Sequence, residues 1–169
     1  MKRLSMILFL GAAVLGQVPV ASATEVGRGR DFGLGVAIGS PTSIVGKYYL
    51  SQENAIDFGL GFWTYGWGCG RHGYCDGRSF DVITVNADYL WQDEVARGAK
   101  VNLDWHIGAG GRFWAGGGTA LAARMPVGLD LMFRKPAWLE LFVEIAPALY
   151  IVPGVGLDLE GFLGVRFYF

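Results

Sequence analysis

Large apolar residues fall on every second position at the C-terminal end of the chain: Leu157, Leu159, Leu163, Val165, Phe167 and Phe169. Asp158, Glu160, Gly164 and Arg166 stand between them. A strand points successive side chains to opposite faces, so this stretch is apolar on one face and charged or glycine-bearing on the other. The pattern recurs. Phe32, Leu34, Val36 and Ile38 alternate with Gly33, Gly35 and Ala37; Ile56, Phe58, Leu60 and Phe62 with Asp57, Gly59 and Gly61. Ile83 to Trp91 alternates with Thr84, Asn86 and Asp88, and Val101 to Ile107 with Asn102, Asp104 and His106. Met125 to Phe133 opposes Gly128 and Asp130, and Leu139 to Ile145 opposes Glu140 and Glu144. With the segment around Lys47, which takes the polar parity, the count is about eight, an even number as in the smallest outer-membrane barrels.

Which face meets water is decided by glycine. A solvent-facing strand position gains nothing from glycine and loses chain entropy. The narrow lumen of an eight-stranded barrel instead requires small residues among large ones. The same parity carries charges of both signs, the condition under which buried charges find partners. The predicted luminal ion network comprises Lys47, Asp57, Asp88, Asp104, His106, Arg112, Arg124, Asp130, Arg134, Glu140, Glu144, Asp158, Glu160 and Arg166. The apolar face then points to lipid, with Tyr48, Tyr49, Trp63, Trp91, Trp138 and Tyr168 placed for aromatic girdles. A soluble lipocalin-like binding barrel is the alternative, and it would need charged, hydrogen-bonding exteriors. Pro126 and Pro147 are expected at the outer rim, one opening its strand and the other ending its strand.

Composition fits a membrane wall. Of 169 residues 52% are hydrophobic and 17% charged, below the roughly 25% usual in soluble proteins. No stretch after the N-terminus supplies the ~18 apolar residues of a transmembrane helix. Lys2 and Arg3, an apolar run from Leu4 to Leu15 and small residues at Ala21–Ala23 read as a signal peptide over residues 1–23. Cleavage there removes Lys2 and Arg3 from a chain of net charge −1, leaving −3. No basic patch invites nucleic acid. Residues 24–30 form a short polar lead, and the barrel is expected over 31–169.

Chemistry is sought among the cysteines, histidines and carboxylates. Cys69 and Cys75 lie in a glycine-rich loop, and in an oxidising compartment a disulfide is the expected state. The competing reading joins His72 to them as a metal site, with only three ligands and no Cys-x-x-Cys pair. No metal or other cofactor is therefore expected. His106 with Asp104 would serve a lipid hydrolase only beside a serine, and none follows Ser79. Glu140 and Glu144 read as half of the ion network rather than as an acid–base pair. The run from Gly108 to Gly118 follows a strand but opens no helix, so it is no nucleotide loop.

The stretches "SPTSIVGKYYLSQENAIDFGLGF", "NADYLW", "IGAGGRF", "RMPVGLDLMF" and "LFVEIAPALYIVPGVGLDLEGFLGVRFYF" resemble, in this order, the BAPKO-type family of small outer-membrane β-barrels. The resemblance covers nearly all of the mature chain. It implies an eight-stranded antiparallel transmembrane barrel of OmpX-like or OmpA-like architecture, and little about activity. Phe169 resembles the end of the signal read by the outer-membrane assembly machinery.

The function expected is a monomeric outer-membrane barrel of a Gram-negative-type bacterium with a side-chain-filled lumen. Its role would be in the envelope or in surface interaction, with outer-membrane lipid and assembly machinery as partners and a surface ligand met through the loops. It would not be an enzyme. The alternative is a small pore or a lipid-modifying barrel enzyme.

Overall fold

The structure is a computed structural model that describes residues 30–65, 80–116 and 118–169. Side chains are described throughout except at 63–65, 80 and 81. The signal-peptide reading, the Cys69–Cys75 disulfide and the His72 metal alternative all lie outside the described residues.

Nine antiparallel strands follow in chain order: β1 (Phe32–Gly39), β2 (Thr42–Tyr49), β3 (Asn54–Tyr65), β4 (Phe80–Arg97), β5 (Val101–Ala115), β6 (Thr119–Arg124), β7 (Val127–Phe133), β8 (Leu139–Val152) and β9 (Gly156–Tyr168). Each pairs with its sequence neighbour up to β5, and β9 returns to β1, so the sheet closes. Strands β6 and β7 both lie between β5 and β8, one above the other. They are two halves of one stave. The wall therefore has eight staves, as the alternation predicts.

The stave breaks at Pro126. In unbroken register Pro126 stands opposite Gly108, whose N–H donates to the Pro126 carbonyl at 2.8 Å. Met125 stands opposite Pro147 and donates to its carbonyl at 3.0 Å. Each proline keeps its acceptor in the ladder and forfeits one donor, so two adjacent seams lose a rung at the same height. This corrects the rim placement. Both prolines are in mid-wall, Pro126 fully buried on the inner face and Pro147 exposed on the outer.

The stagger follows from the registers. A line of paired residues runs from Leu34 through Gly46, Phe58, Ala87, Gly111, Ala123 and Leu149 to Leu157 on β9. Leu34 itself is opposite Phe167, ten residues further along β9. Eight staves with this shear give strongly tilted strands and a lumen that side chains can fill.

The apolar parity faces out all the way round. Leu34, Phe58, Val85, Phe113, Leu129, Val143 and Leu163 are exposed, and so are Tyr48, Trp91 and Trp138 towards the end that holds Asp31 and Phe169, the terminus end of the described barrel. Tyr49 and Tyr168 depart from the girdle reading. They face inward and pack at a ring-centroid distance of 5.6 Å. With Ala55, Leu90 and Met132 they form an apolar plug at the terminus end of the lumen. Luminal glycines leave room for large neighbours: a Cβ on Gly33 would stand 2.7 Å from the Tyr168 ring, and one on Gly128 2.5 Å from His106 Cε1.

Candidate functional site: the charged lumen and its outer mouth

Above the plug, alternate positions of β2, β3, β5, β7, β8 and β9 bring charge to the barrel axis. Lys47 Nζ lies 2.8 Å from Asp130 Oδ2 and 4.0 Å from Glu140 Oε2. Arg166 bonds Asp57 with one terminal nitrogen, and with the other Glu140 at 2.5 Å. Its guanidinium carbon stands 3.7 Å from the centre of the Phe142 ring, a cation–π contact in a desolvated setting. The Tyr168 hydroxyl donates to the second Glu140 oxygen at 2.6 Å. Glu140 and Arg166 are completely buried, and the fork of the guanidinium holds two carboxylates at once.

His106 links this cluster to a second one. Nδ1 is 2.8 Å from Asp130 Oδ2, and Nε2 is 3.3 Å from Glu144 Oε2. Nδ1 has hydrogen-bonding geometry to Asp130, whereas Nε2 faces Glu144 as a charge contact only. Arg124 carries the chain onward: its terminal nitrogens lie 2.6 Å from Glu144 and 3.3 Å from Asp88, and Nε lies 3.7 Å from Glu160. Arg112 pairs with Glu160 beneath the mouth. Asp104 is buried opposite Asp130 across the β5–β7 ladder. The chain of ion pairs thus runs along the axis from the plug to the mouth.

Two residues named for the network lie at its margins, Arg134 in a turn and Asp158 at the mouth near Arg112. Arg134 is exposed in the turn after β7, where its Nε donates to Asn102 Oδ1 at 3.1 Å. Asp158 is exposed at the mouth, and its Oδ1 accepts the Leu159 N–H at 2.8 Å. Alternation assigns a face but not a height, and both lie too near a strand end to be enclosed. Conversely Tyr49, Phe142 and Tyr168 belong to the interior without having been singled out for it. The sign was present: Tyr49 shares the parity of Lys47, Phe142 that of Glu140, and Tyr168 that of Arg166.

At the end far from the termini the lumen opens into a cavity of about 190 Å³ lined by Ser40, Thr84, Arg112, Trp114, Tyr150 and Asp158. Trp114 and Tyr150 meet edge to face at 6.3 Å. Arg112 faces two carboxylates, Glu160 in a direct ion pair and Asp158 by attraction across the lining, so these three groups together keep one negative charge at the mouth. Buried side chains close the floor, so the cavity is a blind vestibule. Among the described residues no group of three His, Cys, Asp or Glu side chains is arranged to hold a metal ion.

These features define a closed antiparallel barrel with an apolar exterior and an ionic interior. The chain is similar to the Yersinia pestis outer membrane protein Ail in a phospholipid bilayer nanodisc, at 12% identity and a TM-score of 0.45, over 82% of this chain and 97% of Ail. It is also similar to the crystal structure of Ail, the attachment invasion locus protein of Yersinia pestis, at 11% identity and a TM-score of 0.41, over 82% and 93% of the two chains. No family model and no curated protein matches the sequence.

Proposed function

We propose that the chain is a small integral outer-membrane barrel that anchors short loops at the cell surface, with an envelope or surface-interaction role and no catalytic activity. The observation that carries this reading is the inversion of the two faces. Leucine, isoleucine and phenylalanine are exposed around the outer wall, while lysine, arginine and carboxylates are buried within it. Water would penalise that outer face, and lipid accepts it, because the closed ladder satisfies the backbone inside the wall. Both termini and the turns at 51–53, 98–100 and 134–138 would face the periplasm. The turns at 40–41 and 153–155, the 116–118 turn and the cysteine loop would face outside. The packed lumen supports an anchor over a pore.

Insertion into lipid vesicles of the full chain and of two variants at neighbouring positions tests this reading. Val143 is exposed on the outer face and Glu144 buried in the lumen. Val143→Arg is expected to cost about 2–4 kcal/mol at mid-wall and to impair insertion. Glu144→Gln keeps the shape and should insert while loosening the Arg124 and His106 contacts. A wild type that is soluble without detergent and tolerates Val143→Arg would overturn the membrane assignment, and a steady ionic conductance would turn the reading towards a pore.

A further inference from the structure

The wall is uneven at its outer end. Strand β1 ends with Gly39 opposite Phe162, and Ser40 N–H reaches the Gly161 carbonyl just above it, at 3.3 Å. Strand β9 continues upward from there to Gly156, paired with β8 on its other side. Across the gap, β3 likewise outruns β2: Thr42 is opposite Phe62, and the last rungs of β3 pair with β4. Among the described residues a notch therefore stands above the β1–β2 turn, with a strand edge on either side. Ser40 in its floor also lines the vestibule.

The parity of the β9 edge is fixed by its ladder. Phe169 N–H donates to Phe32 and the Gly161 carbonyl accepts from Ser40, so odd-numbered residues of β9 face the β1 side. Tyr168 N–H donates to Trp138, so even-numbered residues face β8. Leu157 and Leu159 consequently turn their backbone groups into the notch, where among the described residues they meet no strand. Their side chains are 85% and 67% exposed on the outer face. Asp158 points inward, and its carboxylate folds back to take the Leu159 N–H. That N–H is thus held by a side chain that can swing away.

We propose that this notch receives an extended segment of another polypeptide, which adds as a strand to the Leu157–Leu159 edge and places a basic side chain in the vestibule. The occupant is set by the surroundings. An edge of alternating donors and acceptors selects extended backbone, with affinity from main-chain bonds and specificity from alternate side chains. On the outer side the segment meets Leu157 and Leu159, which favours apolar residues there. On the inner side it meets Asp158 and the Trp114–Tyr150 pair, with the single cation Arg112 shared between Asp158 and its ion pair to Glu160. A lysine or arginine fits that lining through its charge and through the aromatic rings. On arrival it takes the Asp158 carboxylate and frees the Leu159 N–H for the new ladder. The inference rests on the proposed orientation, in which this end faces outside.

The test uses the full chain in lipid nanodiscs and fluorescent short peptides of alternating valine and lysine, with alternating valine and glutamate as the comparison. The valine–lysine peptide should bind and the valine–glutamate peptide should not. Leu159→Pro removes an edge donor that the β8 ladder does not use, and a strand edge accommodates proline there. It should weaken binding about tenfold while the barrel inserts normally. Asp158→Asn should weaken the lysine peptide several-fold and narrow its preference over glutamate. Equal binding of both peptides, unchanged binding to Leu159→Pro, or no binding by an inserted barrel would overturn the proposal. So would a dimer lost in Leu159→Pro, because the edge would then belong to a second copy of this chain. Failure of the wild type to insert would instead remove the membrane reading on which the proposal stands.

Discussion

Arg166 and Arg112 share a residue type and a luminal face, and each holds a carboxylate. Their surroundings differ. Arg166 lies between the aromatic plug and the His106 cluster, with Asp57, Glu140 and the Phe142 ring around it. Arg112 lies under the vestibule floor, with Glu160 below and a cavity above. The deep arginine is a structural crosslink among three staves, because no water can replace it. The shallow one borders space that a ligand or solvent can occupy. One face of the barrel thus changes its task with height, from holding the wall together to presenting a surface.

The largest effect is expected where the enclosure is complete. Arg166→Met keeps much of the volume and the contact with Phe142, but leaves Asp57 and Glu140 charged without their guanidinium. Breaking a buried pair from one side costs about 3–5 kcal/mol, so urea unfolding in lipid should shift by that amount. If Arg166→Met unfolds like the wild type, water reaches the deep lumen and the distinction between the two levels collapses.

A glycine pair contrasts the crowded lumen with the open outer face of the wall without touching charge. A Cβ on Gly128 would stand 2.5 Å from His106 and from the Val143 carbonyl, whereas one on Gly161 would meet nothing within 4 Å. Gly128→Ala is expected to destabilise by about 1–3 kcal/mol through overpacking. Gly161→Ala should be neutral or stabilising by up to ~1 kcal/mol, since glycine in a strand costs chain entropy. Equal effects at the two positions would mean that the deep lumen relaxes as freely as the open outer face.

The sequence made the wall legible because alternation is local. Leu157, Leu159 and Leu163 already state which face β9 turns outward, and the glycines at 33, 110 and 128 mark the crowded side. Proline was misread because its lost donor was taken to require an edge. Pro126 and Pro147 show another solution, in which two seams each give up one rung and both carbonyls stay paired. The partners within the network were not legible. Alternation puts Arg124 and Glu144 on one face, but the ten-residue stagger decides that Arg124 meets Glu144, Asp88 and Glu160, while Arg134 falls outside. The notch was hidden for the same reason: only the registers show that β9 outruns β1.

The smallest effect is expected at Arg112. Arg112→Gln removes the cation that neutralises Glu160, which in the deep lumen would be severe. Here two replacements are at hand. Arg124 Nε already lies 3.7 Å from Glu160 Oε2, and the vestibule directly above can supply water to the other oxygen. A bridging water is nearly as good a partner as a direct hydrogen bond. The net loss should therefore stay at about 1 kcal/mol or less in urea unfolding in lipid. The consequence for the mouth is larger than the consequence for stability. With its cation gone the lining becomes more acidic, so the valine–lysine peptide should bind several-fold more tightly to Arg112→Gln than to the wild type. A loss of several kcal/mol instead would show that Glu160 is as enclosed as Glu140, and the mouth would then be only the upper end of the packed core.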